Sequence, residues 1–175
     1  ALYHPYSSQL MNVIDMPLDV EDRELRDAIK NILTNSNPPP KVIYHFCADI
    51  LHGRWKEMES IIDKSPYWAY CYARYVIKGR FPEAEHIIAK DPGYVYYYAL
   101  NVIKGRFPEA EHIIAKDPRY AFAYAEDVIG GRFPLGEPSL HREKTYWHLY
   151  ISLFEKGGIF NNPKILHDII MEYGQ

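Results

Sequence analysis

Apolar residues in the middle of the chain follow a helical spacing, and the same spacing returns every 26 residues. Positions 69, 73, 76 and 77 lie three or four residues apart, which places their side chains on one face of a helix. Residues 26 positions apart can therefore be aligned in columns. Two columns are apolar throughout: Phe46, Tyr72, Tyr98, Tyr124 and Tyr150 in one, and Cys47, Ala73, Ala99, Ala125 and Ile151 in the other.

A Gly-Arg-aromatic triplet marks the same period. The stretch VIKGRFPEAEHIIAKDP occurs at 76–92 and again, letter for letter, at 102–118. A verbatim second copy is typical of a stacking unit and unusual for a catalytic motif. The triplets begin at Gly53, Gly79, Gly105 and Gly131. We therefore divide the chain into five units, of which the last is degenerate: 41–66, 67–92, 93–118, 119–144 and 145–170.

Each unit is predicted to contain two helices. Asp91 is a good N-cap, Pro92 suits the first helical turn, and Gly105 is expected to end the helix in the left-handed conformation. The second helix is predicted to begin at Pro82, and Phe81 before it marks the corner. The first helix spans about 13 residues and the second about two turns. Neither is long enough to persist alone in water, so both depend on their neighbours.

Residues 1–40 lie outside the period. The stretch LDVEDRELRDAIKNIL predicts a helix with Asp19 as N-cap and one apolar face. We expect this helix to cap the open side of the stack, and an acidic arm that recognises a partner is the alternative. The predicted apolar face holds Leu25, Ala28, Ile29 and Ile32. Residues 171–175 are assigned to a C-terminal tail. The predicted fold is all-α, a right-handed solenoid of about five 26-residue helical hairpins with an N-terminal helical cap.

Charge is unevenly distributed along the chain. The net charge of −3 arises in residues 1–40, which hold six acidic and three basic residues. Residues 41–175 hold 17 acidic and 17 basic residues and are neutral. Surfaces that bind phosphate usually show an excess of basic residues. The balance therefore disfavours nucleic-acid binding as the main function.

The cysteine count and the length of the apolar runs indicate the cellular compartment. Cys47 and Cys71 are too few for a disulfide framework or a four-thiolate zinc site, so we expect free buried thiols in a reducing compartment. The chain shows no secretory signal at its start and no apolar run of the roughly 20 residues that span a bilayer. We expect a soluble cytoplasmic protein without a membrane partner.

The most suggestive chemical motif is Glu-Ala-Glu-His. Glu83 with His86, and Glu109 with His112, copy the carboxylate–imidazole spacing of di-iron bundles. Such a site needs further carboxylates from long converging helices, whereas these helices are short. There is also no glycine-framed serine and no phosphate-cradling glycine loop. The sequence therefore predicts no catalytic residue, no metal, no cofactor and no small-molecule substrate.

Two polar columns persist through four units. We expect one structural ion pair or carbonyl-capping contact in each unit, and we expect the tyrosine column to belong to the core. The alternative is that the arginine and tyrosine rows bind single-stranded nucleic acid or its phosphate backbone. The columns are Arg54, Arg80, Arg106 and Arg132, and Glu59, Glu85, Glu111 and Glu137.

Three columns of the first helix vary in sign, size and polarity. Their positions lie at i, i+3 and i+4, so they share one helix face. A varied face on a constant scaffold is typical of protein recognition, and we predict that it binds a protein partner. The predicted partner-binding residues are Cys71, Arg74, Tyr75, Tyr97, Leu100, Asn101, Ala123, Glu126 and Asp127.

The phrase YVIKGRFPEAEHIIAKDP..A..YA resembles a family of short tandem repeats in proteins of bacteriophages and large DNA viruses. The resemblance covers about residues 67–135. It implies a helical fold, a viral source and a location in the host cytoplasm, and it transfers no catalytic residue. It suggests a protein that occupies and blocks a host protein, such as a defence complex, with a structural virion component as a further alternative. Gly158 and the stretch LGEPSLHREK depart from the repeat pattern.

Overall fold

The computed structural model describes residues 23–154 and the two single positions 167 and 171. Within residues 23–154 all regular secondary structure is helical and no strand occurs. Helix pairs recur at a spacing of about 26 residues, which confirms the predicted all-α repeat. The predicted N-cap Asp19, the substituted position Gly158 and most of the predicted tail 171–175 lie outside the described residues.

The first helix of each unit starts as an α-helix, and in units two, three and four it follows a side-chain cap. Asp91 accepts hydrogen bonds from the backbone N–H groups of Gly93 and Tyr94, which confirms it as the N-cap. Ser65 and Asp117 cap the neighbouring units in the same way. The α-helical segments, all but the last opened by a proline, are Pro40–His45, Pro66–Cys71, Pro92–Tyr98, Pro118–Ala123 and Lys144–Phe154.

Four of these helices continue as π-helix, which the sequence did not predict. The wider turn ends at a left-handed residue, and that residue is Lys104 in unit three, with φ of 58°. The expectation that Gly105 takes this conformation is wrong. Gly105 is the following residue, and its N–H closes the turn on the Ala99 carbonyl at 3.1 Å. The π-helical segments are Phe46–Leu51, Tyr72–Ile77, Ala99–Ile103 and Tyr124–Ile129.

The second helix follows a corner formed by a buried aromatic residue. Phe81 has φ of −122° and ψ of 76°, outside the helical region as predicted, and Pro82 opens the helix Pro82–Ile88. In units one and three the helix begins with a 3₁₀ turn. The bounds there are Lys56–Met58 with Glu59–Ile62, and Pro108–Ala110 with Glu111–Ile114.

Unit four departs from this pattern at the position where the sequence also departs. Its second helix is Glu137–Arg142, preceded by a turn that ends at Gly136. A Cβ atom at Gly136 would approach the Phe133 ring to 2.5 Å and the Ala121 side chain to 3.0 Å. Glycine therefore allows this turn to pack against the core. Unit four keeps its helix pair although its sequence at 135–138 is LGEP.

The helix Arg23–Thr34 precedes the units and packs against unit one. Ile29 and Leu33 are buried, and the Lys30 ammonium lies 5.7 Å from the centre of the Trp55 ring. The predicted apolar face is partly wrong, because Ile32 is 58% exposed and Ala28 is exposed as well. The contact face follows an i, i+4 stripe that runs through 25, 29 and 33.

The core lies between the first and second helices and runs through all described units. First helices contact their counterparts in the neighbouring units as well as the second helix of their own unit. The tyrosine column is fully buried, as predicted, and so are the alanines beside it. Val76 and Ile77, expected on the buried face, are only half-buried. Cys47 and Cys71 are free and buried, and burial raises the pKa of the Cys47 thiol to about 11.

Candidate binding face

A buried tyrosine hydroxyl joins each unit to the unit before it. The Tyr98 hydroxyl accepts a hydrogen bond from the backbone N–H of Phe81 at 2.7 Å and donates one to Glu85 Oε1 at 2.8 Å. Glu85 in turn accepts two hydrogen bonds from the Arg80 guanidinium, at 2.7 and 2.8 Å. Tyr98 belongs to unit three and the other residues to unit two. The corner of unit two is therefore held by a side chain of unit three.

The same four-residue arrangement occurs at every described junction. The predicted Arg–Glu ion pair is confirmed in four units. The tyrosine that reaches back from the following unit was not predicted, although it always lies 13 residues after the glutamate. The other three sets are Arg54, Trp55, Glu59 and Tyr72; Arg106, Phe107, Glu111 and Tyr124; and Arg132, Phe133, Glu137 and Tyr150.

Electrostatics fix the protonation of this arrangement. Burial raises the pKa of the Tyr98 phenol well above its usual value, and that of Tyr150 to about 12. Burial also acts to raise the pKa of Glu85, but hydrogen bonds from Arg80 and Tyr98 outweigh it and the pKa is lowered. At neutral pH the phenol is therefore neutral, the carboxyl is charged, and each group matches the hydrogen bond that it makes.

The arginine and tyrosine rows are occupied by these contacts. Each guanidinium donates to a glutamate of its own unit, whose charge offsets its own. The tyrosine rings are at most 2% exposed and offer no surface on which a base can stack. These contacts assign the two rows to the framework of the fold.

The predicted partner-binding residues divide by exposure. Tyr75 and Tyr97 are 51% and 44% exposed, and Glu126 and Asp127 are exposed as well. Arg74, Leu100, Asn101 and Ala123 are partly buried. Cys71 is only 6% exposed. Burial raises the pKa of its thiol. We therefore remove Cys71 from the candidate face.

Contacts between neighbouring units hold the exposed side chains in place. Arg74 donates to the Tyr70 hydroxyl at 2.6 Å, and Asn101 of the next unit donates to the same oxygen at 3.2 Å. The Arg74 guanidinium also lies 5.0 Å from the centre of the Tyr75 ring. These contacts bring residues of units two and three together as one patch.

The carboxylate of Asp127 extends this patch into unit four. It accepts a hydrogen bond from the Tyr96 hydroxyl at 2.6 Å. Tyr96 in turn contacts Tyr97, with ring centres 5.0 Å apart. We define the binding face as the eight remaining predicted residues together with Tyr96, and the buried Tyr70 supports them from below.

An aromatic row beside the binding face was missed in the sequence analysis. In each case an aromatic ring of one unit contacts an aromatic ring 24 residues later, in the next unit. Because the residues stay aromatic from unit to unit, the column alignment contained the signal. The pairs, with ring centres 5.1 to 6.5 Å apart, are Tyr44 with Trp68, Tyr70 with Tyr94, Tyr96 with Tyr120, and Phe122 with Tyr146.

The carboxylate–imidazole motif does not assemble into a ligand set. His86 is exposed, and its Nδ1 lies 2.9 Å from the backbone carbonyl oxygen of Glu83. In the part of the chain that the structure describes, no three His, Cys, Asp or Glu side chains are placed to hold a metal ion. None of the described helices combines the length and the apolar character needed to cross a bilayer.

Comparison with protein-family models, with curated proteins and with solved structures finds no match to this chain. Functional inference therefore rests on the geometry of the binding face and of the framework beneath it.

The tyrosine bridge makes a direct prediction for stability. Replacing Tyr98 with Phe leaves the buried N–H of Phe81 without its acceptor, so the free energy of unfolding should fall by about 1–3 kcal/mol. The matched control is Tyr97→Phe in the same helix, which removes an exposed hydroxyl and should change stability by less than about 0.5 kcal/mol. Urea unfolding followed by circular dichroism measures both. Equal effects of the two substitutions would contradict a special role for the buried hydroxyl.

The glutamates make stability depend on acidic pH. Hydrogen bonds from Arg106 lower the pKa of Glu111 against the effect of burial, and Glu85 is lowered as well. Their contribution is present above the unfolded value of about 4.5 and is lost as the pH falls through the lower folded value. Between pH 7 and pH 3, the variant with Glu85→Gln and Glu111→Gln should therefore lose less unfolding free energy than the unmodified chain.

The control for this pH series replaces two exposed glutamates, Glu57→Gln and Glu83→Gln. This variant should keep the pH dependence of the unmodified chain. If the variant with Glu85→Gln and Glu111→Gln loses as much stability on acidification as this control, the lowered pKa values of the two carboxyls are not the source of the acid sensitivity.

Proposed function

We propose that this chain is a non-catalytic repeat protein that binds another protein through the binding face of its first helices. In this proposal the helix pairs form a right-handed solenoid, and the neighbouring units act together as one extended surface. The observation that carries the proposal is the exposure of Tyr75 and Tyr97 on a face whose neighbouring side chains are held by hydrogen bonds and ring contacts. Half-exposed tyrosines are typical anchors of protein interfaces, because the ring is buried on binding while the hydroxyl keeps a polar partner.

Preorganisation supports the same function. Ordering a flexible side chain at an interface costs about 0.5–1.5 kcal/mol. Ring contacts and hydrogen bonds already restrict Arg74, Asn101 and Tyr96, so that this cost is largely met before a partner arrives. Tyr97 packs against both Tyr70 and Tyr96, with ring centres 6.2 and 5.0 Å apart. A face arranged in this way favours tight binding for its size.

The charges of the binding face favour a protein over a nucleic acid. Arg74 is the single basic side chain of the face, whereas Glu126 and Asp127 are acidic. Repulsion between these carboxylates and phosphates would oppose binding of a nucleic-acid strand along the face. If the resemblance to repeats of phages and large DNA viruses holds, the protein partner is a host protein that the chain blocks.

The test is capture of a partner with a variant of the binding face. Tyr97→Ala, Leu100→Ala and Asn101→Ala are combined in one chain, which should keep its circular dichroism spectrum and lose partner capture from a native lysate. The control combines His86→Ala and His112→Ala on the second helices with Lys116→Ala in the turn after the second helix of unit three. All three residues are exposed, and this variant should capture as the unmodified chain does. Unchanged capture by the first variant would reject this face as the interface.

A further inference from the structure

The binding face has a charge polarity that runs along the units. Arg74, Leu100 and Glu126 occupy equivalent positions of units two, three and four, each 26 residues from the next. This column therefore passes from a cation through an apolar residue to an anion. Asp127, exposed beside Glu126, strengthens the acidic end.

A column of this kind is self-complementary under two-fold symmetry. An axis parallel to the first helix of unit three, lying between two copies, reverses the order of the units and keeps the direction of the helices. Arg74 of one copy then faces Glu126 of the second copy, and the reverse pair forms on the other side of the axis. Leu100 and Tyr97 meet their own counterparts at the centre. Isologous interfaces require this match of a surface patch with itself.

We propose that the binding face pairs with the same face of a second copy of this chain. The inference rests on the proposed function, that this face binds protein, and it names the partner as an identical chain in place of the host protein that the viral resemblance suggests. The chemistry is a central contact of Tyr97 and Leu100 flanked by two Arg74–Glu126 ion pairs. Opposite charges across an interface fix the register and disfavour other pairings.

The charged groups are free to make these contacts. Arg74 uses one guanidinium nitrogen for the Tyr70 hydroxyl and retains its other N–H donors. Glu126 is exposed and makes no hydrogen bond or ion pair with the residues that the structure describes. Pairing in the dimer therefore costs neither group a strong existing contact.

The area of the face determines the expected affinity of the dimer. First helices of about 12 residues are roughly 18 Å long, and packed helices lie about 8–10 Å apart. The three first helices that carry the face thus offer about 430–540 Å², below the roughly 800 Å² that each partner contributes to a standard interface. The dimer is accordingly expected to dissociate in the micromolar range, and its affinity should fall as salt screens the ion pairs.

Sedimentation equilibrium of the full chain, from about 1 to 200 µM, tests the dimer. Arg74→Glu and Glu126→Arg should each weaken it at least tenfold, because like charges then face each other across the axis. The two changes combined restore opposite charges and should bring the affinity back to within about threefold of the unmodified chain. Lys90→Glu, an exposed charge reversal in the turn after the second helix, should have no effect.

A monomeric unmodified chain over the whole range would overturn the dimer, and so would a double variant as weak as the single ones. Glu126→Arg changes an exposed side chain outside the Arg74 contacts, so that its outcome does not depend on them. Either failure would leave the capture experiment to decide the proposed function separately. Loss of capture by the Tyr97, Leu100 and Asn101 variant in a monomeric chain would indicate a different protein partner on the same face.

Discussion

Everything in this fold depends on one hydrogen-bond bridge between consecutive units. Each second helix is about two turns long, and such a helix is unstable in water by itself. The corner that leads into it has a buried backbone N–H, which must find an acceptor. The tyrosine of the next unit supplies that acceptor and uses its own proton to fix the glutamate that holds the arginine. A unit that no other unit follows lacks this acceptor. Each unit therefore depends for its stability on the unit after it.

This bridge explains why some columns of the repeat are constant and others vary. The arginine, glutamate and tyrosine side chains form the bridge, and substitution of any of them would leave a hydrogen-bond partner unsatisfied. The corner aromatic contributes its backbone N–H to the bridge and its ring to the core. Side chains on the outer face of the first helices take no part in this bridge. Tyr75, Tyr97, Leu100 and Glu126 are thus available for recognition on a scaffold that does not depend on them.

Much of the architecture was predictable from the period, and the parts that were not have physical reasons. The Arg–Glu pair could be inferred because both partners lie five residues apart in one unit. The tyrosine bridge, by contrast, requires knowledge of how two units dock. The π-helical ends have no recognisable sequence signal, and they move the left-handed residue from Gly105 to Lys104. Column variability selected Cys71 together with its exposed neighbours, although it is buried, because variability alone does not report solvent access.

The most direct measurement of the bridge is native-state hydrogen exchange of the corner amides. The backbone N–H groups of Phe81, Phe107 and Phe133 donate to Tyr98, Tyr124 and Tyr150. If these bridges hold the units together, the three amides should exchange only through opening as costly as that of the central helices. Exchange at the rate of exposed turns, while the first helices stay protected, would show that the corners open independently and that the units are held together by other contacts.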